Sequence, residues 1–67
     1  MDIPLLARVM ALGVKAASIK AGIAGMVADN EYRRCEGTEP AYTAGDFEHE
    51  AVQLREVAND LEEIARG

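Results

Sequence analysis

The sequence has very little of what usually holds a small domain together. It contains one cysteine, Cys35, one histidine, His49, and no tryptophan in 67 residues. A single thiol cannot form an internal disulfide, and one thiol with one imidazole is too few ligands for a structural zinc site. A lone free thiol is typical of a reducing compartment, so we expect a cytoplasmic protein with no metal or other cofactor.

Positive charge is also scarce. Seven Lys and Arg stand against twelve Asp and Glu, for a formal net charge of −5, and residues 46–67 carry seven of the acids and only two of the bases. Phosphate contacts supply most non-specific affinity for nucleic acids, so an acidic chain without a basic stripe disfavours duplex DNA or RNA as a partner. The same charge disfavours an anionic membrane surface.

A long uninterrupted apolar run is missing as well. Residues 3–28 are apolar overall, but Arg8, Lys15 and Lys20 interrupt them, whereas a membrane-spanning helix needs about 20 mostly apolar residues. A secretory signal is disfavoured because Asp2 stands where its basic region would be. We therefore predict a soluble helix here, and no membrane as a partner.

Helical periodicity is what the chain does have. A first helix is predicted over about residues 3–34, with Asp2 as its N-cap and Pro4 in the first turn, where proline is tolerated. Its apolar arc is much wider than the roughly 100° that a surface helix presents to one neighbour. Such a helix needs more than one partner, so we predict a homo-oligomer, a dimer or larger. The interface residues expected from this arc are Leu5, Val9, Leu12, Gly13, Ala16, Ala17, Ala21, Ile23 and Ala24.

A loop over about 35–43 and a second helix over about 44–66 follow. Gly37 indicates the end of the first helix. Thr43 and Asp46 approximate a capping box at the start of the second helix, and Tyr42 and Phe47 occupy the positions of a hydrophobic staple. The predicted buried stripe consists of Phe47, Ala51, Leu54, Ala58, Leu61 and Ala65, flanked by Val57 and Ile64. The fold class is thus all-α, a single-domain two-helix hairpin that assembles into a homo-oligomeric helical bundle.

No catalytic pattern is present in the sequence. Most carboxylates belong to the solvated face of the second helix, and acid–base catalysis needs a concave, water-poor site that two helices cannot enclose alone. His49 lies opposite the apolar stripe, so we expect it to be exposed. Cys35 has no neighbouring histidine that would activate it as a nucleophile. We expect a protein without enzymatic activity.

Two cationic features leave alternatives open. Lys20 projects into the apolar arc of the first helix, where an unpaired ammonium is costly. It pairs with an acid from the second helix or another subunit, reaches water along its stem, or binds an anion, and we favour the ion pair. Tyr32, Arg33 and Arg34 place an aromatic ring beside two guanidinium groups. Such a set can stack on a base and hold a phosphate, or it can be a helix end whose cations favour the dipole.

Two functional hypotheses follow from these residues. The leading one is an oligomeric protein-binding module that modulates or inhibits a basic protein partner through an acidic surface formed by Glu56, Asp60 and Glu63. The alternative is a binder that sequesters an anionic small molecule, such as a nucleotide signal, in a pocket between subunits. The residues that would line that pocket are Lys20, Tyr32, Arg33 and Arg34.

In size, acidity and two-helix pattern the chain is similar to small accessory proteins encoded by phages and mobile elements. Among these are inhibitors of host enzymes or defence complexes, and hairpin oligomers that sequester nucleotide signals. The resemblance implies a binding function rather than a catalytic one, and it is compatible with both hypotheses.

Overall fold

The computed structural model describes residues 2–67 and contains two α-helices in that range, α1 (Ile3–Cys35) and α2 (Ala44–Arg66). Residues 36–43 reverse the chain, so that the two helices contact each other as an antiparallel hairpin. The predicted all-α hairpin is confirmed. The first helix extends one residue beyond the end expected from the sequence, and the second has the expected bounds.

Local hydrogen bonds explain where α1 begins. The Asp2 side chain caps the helix, because its Oδ1 accepts a hydrogen bond from the Leu5 backbone N–H at 2.7 Å. This bond satisfies one of the N–H groups that have no partner within the helix. Pro4 lies in the first turn, where its missing N–H costs nothing. The predicted N-cap is confirmed.

The end of α1 is a Schellman motif. The backbone N–H of Thr38 donates to the carbonyl of Arg33 at 2.9 Å, and that of Gly37 donates to the carbonyl of Arg34 at 3.1 Å. Gly37 has a φ of 73°, which a residue without a Cβ adopts at no steric cost. The glycine therefore ends the helix and turns the chain towards α2.

The start of α2 is a capping box, as predicted. The backbone N–H of Asp46 donates to Thr43 Oγ1 at 3.4 Å, and the backbone N–H of Thr43 donates to Asp46 Oδ2 at 2.8 Å. Aspartate thus fills the place usually taken by Glu or Gln. The two reciprocal bonds fix the first residue of α2 independently of its packing.

A narrow seam joins the two helices. On each helix, most of the residues that are at least half-buried recur at alternating spacings of three and four, the repeat of a coiled coil, and Asp29, Ala51, Gln53 and Asp60 are half-buried beside this repeat. On α1 the seam consists of Leu5, Val9, Leu12, Ala16, Ile19, Ile23, Met26 and Asn30, and on α2 of Phe47, Glu50, Leu54, Val57, Leu61 and Ile64. Among residues 2–67, only Ile19 and Val57 are buried, with 8% and 3% of their surface exposed, and no side chain in this range is completely enclosed. The hairpin therefore has a thin core.

The seam on α2 is rotated relative to the predicted stripe. Ala58 and Ala65, which were expected to be buried, are exposed, whereas Val57 is the most buried residue and Ile64 lies in the seam. The predicted stripe continues from Phe47 in steps of four and three residues, which leads to Ala58 and Ala65. The larger aliphatic side chains occupy the contact instead, because their burial removes more apolar area from water.

The hairpin is a single layer of helix. Its Cα atoms extend over 53 × 17 × 10 Å and have a radius of gyration of 15.9 Å, compared with about 11 Å for a compact domain of this length. The accessible surface is 5029 Å², roughly 900 Å² more than the value of about 4,100 Å² expected for a folded monomer of this mass. Stable domains pack at least two layers around a core, and one chain supplies only one.

Candidate interaction surfaces

The side of α1 that points away from α2 is apolar and exposed. At 3.6 residues per turn it lies about 160° around the helix from the seam. Its large side chains are open to solvent, with Ile3 82%, Met10 63% and Val14 71% exposed. Its members recur at spacings of four and three, as those of the seam do. We call this surface the free face: Ile3, Ala7, Met10, Val14, Ala17, Ala21, Ala24 and Ala28.

The free face is uniform in polarity and graded in size. None of its eight residues is charged or polar. The bulky side chains, Ile3, Met10 and Val14, lie in its N-terminal half, and its C-terminal half, residues 17–28, contributes only alanines. Leu6 and Val27 extend the apolar surface along one edge, and both are exposed. An apolar strip that runs along most of a long helix is unusual on the surface of a monomer.

The interface expected from the sequence is divided between two faces of α1. Periodicity can divide the apolar arc into two repeats, but it does not show which of them the second helix covers. The residues that lie half-buried in the seam, and so are used within the hairpin, are Leu5, Val9, Leu12, Ala16 and Ile23. The residues that lie on the free face or at its edge are Gly13, Ala17, Ala21 and Ala24.

Sequence reasoning missed the three bulky residues of the free face, Ile3, Met10 and Val14. A signal for them was present, since they belong to a second repeat of three and four on α1, offset by two positions from the seam. Two such repeats on one helix indicate two partner helices. One of these partners is α2.

Lys20 lies at the edge of the free face and is exposed. The ion pair that we favoured is wrong for the single chain, because among residues 2–67 no carboxylate lies within ion-pairing distance of its ammonium. The physical reason is that Lys20 lies on the flank of α1 between the seam and the free face, where its side chain is in contact with water. Pairing with an acid of another subunit stays a prediction.

The two arginines near the end of α1 already have carboxylate partners. Arg33 Nε lies 3.4 Å from Asp29 Oδ2, and Arg34 is paired with Glu31 through both its Nε and Nη2 atoms. The hydrogen bond and charge of Arg34 lower the pKa of Glu31, and the same contacts raise the pKa of Arg34. Each guanidinium is therefore partly neutralised before any external anion arrives.

The four residues proposed to hold an anion are not gathered in one place. Tyr32 is exposed beside the two arginines, but Lys20 is 14 positions before Arg34, which corresponds to about 21 Å along the helix axis. Residues 2–67 enclose no cavity between these groups. A site built from all four would have to be completed by a second chain.

Three acids form a line along one flank of α2. Glu56, Asp60 and Glu63 follow one another at spacings of four and three, and the two glutamates are exposed whereas Asp60 is half-buried. None of the three is paired with a cation within residues 2–67. We call this surface the acidic line. Its charge is uncompensated and produces a negative potential along the helix.

Two other acids of α2, Glu48 and Glu62, differ from the acidic line because each has an arginine partner on the same helix. Glu48 Oε1 lies 2.9 Å from Arg55 Nη2, and Glu62 Oε2 lies 3.8 Å from Arg66 Nη2. Exposed pairs of this kind contribute little to stability, but they do reduce the charge that a partner would meet. The acidic line is thus the part of α2 with the most charge available for binding.

The remaining reactive side chains form no constellation within residues 2–67. His49 is exposed, and its Nε2 lies 3.0 Å from Nε2 of Gln53 on the next turn. Cys35 is exposed at the last position of α1. The described residues contain no group of three or more His, Cys, Asp or Glu placed to hold a metal ion. The molecule thus offers surfaces rather than a pocket.

No family model, no curated protein and no solved structure matches this chain. The likeness to accessory proteins of phages and mobile elements therefore stays a prediction, and function has to be inferred from the residues and their placement. One further observation bears on location. By length and composition alone, α1 could cross a membrane, a property that core helices of soluble proteins and signal sequences share. The cytoplasmic location likewise stays a prediction.

Proposed function

We propose that this chain is a non-enzymatic interaction protein that self-associates through the free face of α1 and binds a basic protein partner through the acidic line of α2. One observation carries the proposal. The hairpin covers a single side of α1 and leaves a continuous, uncharged apolar face on the opposite side. A surface of this kind is stable in water when another apolar surface covers it.

The surface that the hairpin exposes in excess of a compact monomer is comparable to that of an interface. The hairpin exposes roughly 900 Å² more than a folded monomer of its mass, and a standard protein–protein interface buries about 800 Å² per partner. The internal core is also thin, with Ile19 and Val57 as its buried residues among those described. Association would supply the second layer that the hairpin lacks.

Insertion of α1 into a bilayer is less favourable than self-association. The helix α2 lies against α1 along the seam, and residues 46–67 carry seven acids. Inserting α1 would either carry these carboxylates into hydrocarbon or break the seam, and both are costly. Lying on an anionic membrane surface is opposed by the net charge of −5.

The acidic line supports the second half of the proposal. Its charges are unpaired, and self-association through α1 would leave them on the outside of the assembly. Repetition of the line on several subunits would raise the affinity for a partner with a matching basic surface. A partner bound in this way would have its basic surface blocked, which is how the chain would inhibit or modulate it.

Sedimentation equilibrium at micromolar concentrations tests self-association. We expect a mass that is a multiple of 7.2 kDa. Replacement of Ala21 by Asp places a charge at the centre of the free face and should shift the protein to monomer, whereas Asn59→Asp on the exposed side of α2 should not. A wild-type chain that is folded and monomeric throughout this range would contradict the proposal.

Affinity purification from cells that express the chain tests the acidic line. A triple variant with Glu56→Gln, Asp60→Asn and Glu63→Gln should lose a partner that the wild-type chain retains. A matched control carries Glu36→Gln and Glu39→Gln in the loop and should retain that partner. Equal recovery by both variants would show that the acidic line is not the binding surface.

The anionic-ligand alternative requires that subunits complete the site. A panel of nucleotides and cyclic nucleotides, added to the wild-type oligomer in a thermal-shift assay, distinguishes it from the leading proposal. A ligand at 100 times its Kd would stabilise the native state by about 2.7 kcal/mol. An effect of this size that disappears in the Lys20→Met variant would favour the alternative.

A further inference from the structure

We propose that two copies of the chain pair antiparallel through their free faces, α1 against α1, about a two-fold axis that passes between Val14 and Ala17. This inference rests on the proposed self-association and specifies its partner and its geometry. A two-fold pairing uses the same surface on both chains. It requires nothing beyond the residues already described.

The gradient of side-chain size decides the direction of pairing. In an antiparallel pair, the bulky N-terminal half of one free face meets the alanine half of the other. A parallel pair would place Met10 against Met10 and Ala24 against Ala24, so that the helices would be forced apart at one end and leave voids at the other. Interfaces pack well when large residues face small ones at a uniform distance between the helices.

One register uses all eight residues of the free face. It is obtained when the positions of two facing residues add to 31, since each residue then has a partner and none is left over. Facing pairs in this register are Ile3 with Ala28, Ala7 with Ala24, Met10 with Ala21, and Val14 with Ala17. Every bulky side chain is thus placed opposite an alanine.

The edge of the free face fits the same register. Leu6 of one copy comes next to Val27 of the other, which would cover two exposed aliphatic side chains. Lys20 comes next to Gly13, where there is no side chain to block its stem, so its ammonium can reach water along the rim. The antiparallel arrangement also opposes the two helix dipoles.

Disulfide crosslinking tests the geometry. Two variants are made in a Cys35→Ser background, one with Met10→Cys and the other with Ala21→Cys, and they are refolded alone or as an equal mixture before oxidation. In the proposed register the two cysteines of different copies face each other. Two copies of position 10 lie about 16 Å apart along the axis, well beyond the span of about 7 Å that a disulfide can bridge.

We expect a crosslinked dimer in the mixture and almost none in either variant alone. A second pair, Ile3→Cys with Ala28→Cys, should give the same pattern if one of the first variants fails to fold, which circular dichroism would reveal. A mixture of Asn59→Cys with Val52→Cys, both on the exposed side of α2, serves as the matched control and should remain uncrosslinked.

The outcomes separate this inference from the proposed function. Crosslinking of each variant with itself would show parallel pairing, and an oligomer that gives no crosslinks would show a different interface. Either result overturns the antiparallel geometry and leaves self-association standing. A wild-type monomer in sedimentation overturns both, and if that monomer floats with phosphatidylcholine vesicles, the occupant of the free face is a lipid surface.

Discussion

The side-chain amide of Asn30 binds both backbone groups of Tyr42. Its Nδ2 donates to the Tyr42 carbonyl at 2.9 Å, and its Oδ1 accepts from the Tyr42 N–H at 3.0 Å. Tyr42 lies outside both helices, so these groups have no helical partner. Asn30 occupies the last position of the seam on α1. The pair therefore ties the loop to α1 next to the start of α2, and it sets the register in which the seam begins.

Replacement of Asn30 by Ala should lower the free energy of unfolding by about 1–2 kcal/mol, because two hydrogen bonds are lost and the Tyr42 backbone loses its partner. Urea denaturation at one fixed protein concentration measures the change. The control is Asn59→Ala, an exposed asparagine of α2, which should be nearly neutral. Equal effects of the two substitutions would show that the hydrogen bonds between Asn30 and Tyr42 do not stabilise the hairpin.

The two valines of α2 allow the effect of burial on stability to be compared for the same substitution. Val57 is 3% exposed and Val52 is 38% exposed. Val57→Ala should cost about 2 kcal/mol, because it removes buried apolar area and leaves a cavity in the seam. Val52→Ala should cost a few tenths at most. The same denaturation measurements apply, and a larger loss at Val52 would mean that the seam has been misplaced.

Two glycines should respond in opposite directions to the same substitution. Gly37 has a φ of 73°, so Gly37→Ala should destabilise the hairpin by about 1 kcal/mol through backbone strain. Gly22 lies inside α1 on its exposed side, and a Cβ there would meet nothing within 4 Å. Gly22→Ala should therefore stabilise by about 1 kcal/mol. Thermal melts of both variants measure the two changes in stability. If the positive φ of Gly37 were not needed to end α1, both substitutions would change the melting temperature in the same direction.

The capping box at Thr43 should be worth about 1 kcal/mol. Thr43→Ala removes the oxygen that accepts from the Asp46 N–H, and this bond satisfies an otherwise unpaired donor in the first turn of α2. Thr43→Ser retains the oxygen and should remain close to the wild type in stability. A Ser variant as unstable as the Ala variant would assign the loss to the methyl group of threonine rather than to the cap.

The pair of Glu31 and Arg34 should be visible in the titration of Glu31. The hydrogen bond and charge of Arg34 lower the pKa of Glu31 in the folded chain. A group with a lowered folded-state pKa contributes stability above its unfolded-state pKa, and this contribution is lost as the pH falls through the folded-state value. Both side chains are solvent-exposed, so salt should weaken the effect.

Carboxyl-carbon NMR measures this pKa directly. Arg34→Gln should raise the pKa of Glu31 towards its ordinary value. Arg33→Gln removes a neighbouring cation that pairs with Asp29 instead, and it should leave the Glu31 pKa low. If the two variants titrate identically, Arg34 is not the cause of the shift.

Much of the local structure could be predicted from short-range patterns. Helix ends depend on residues within a few positions of one another, and steric and hydrogen-bonding rules at that range are strong. This applies to the caps at Asp2 and Thr43 and to the end of α1 at Gly37. The link between Asn30 and Tyr42 could not be predicted in this way. The two residues are 12 positions apart, and no pattern in the residues next to either one indicates the other as its partner.

The sequence by itself determined that the chain forms two helices, that α1 has apolar residues over most of its circumference, and that α2 is acidic, because periodicity and composition are properties of neighbouring residues. The tertiary structure decided which part of the apolar arc on α1 is covered. The seam buries Ile19 of α1 and Val57 of α2, whereas Ile3, Met10 and Val14 remain exposed to water. The reason is that burial depends on the rotation of one helix against another, which is set by the sum of all contacts along the seam and not by any single stretch of sequence.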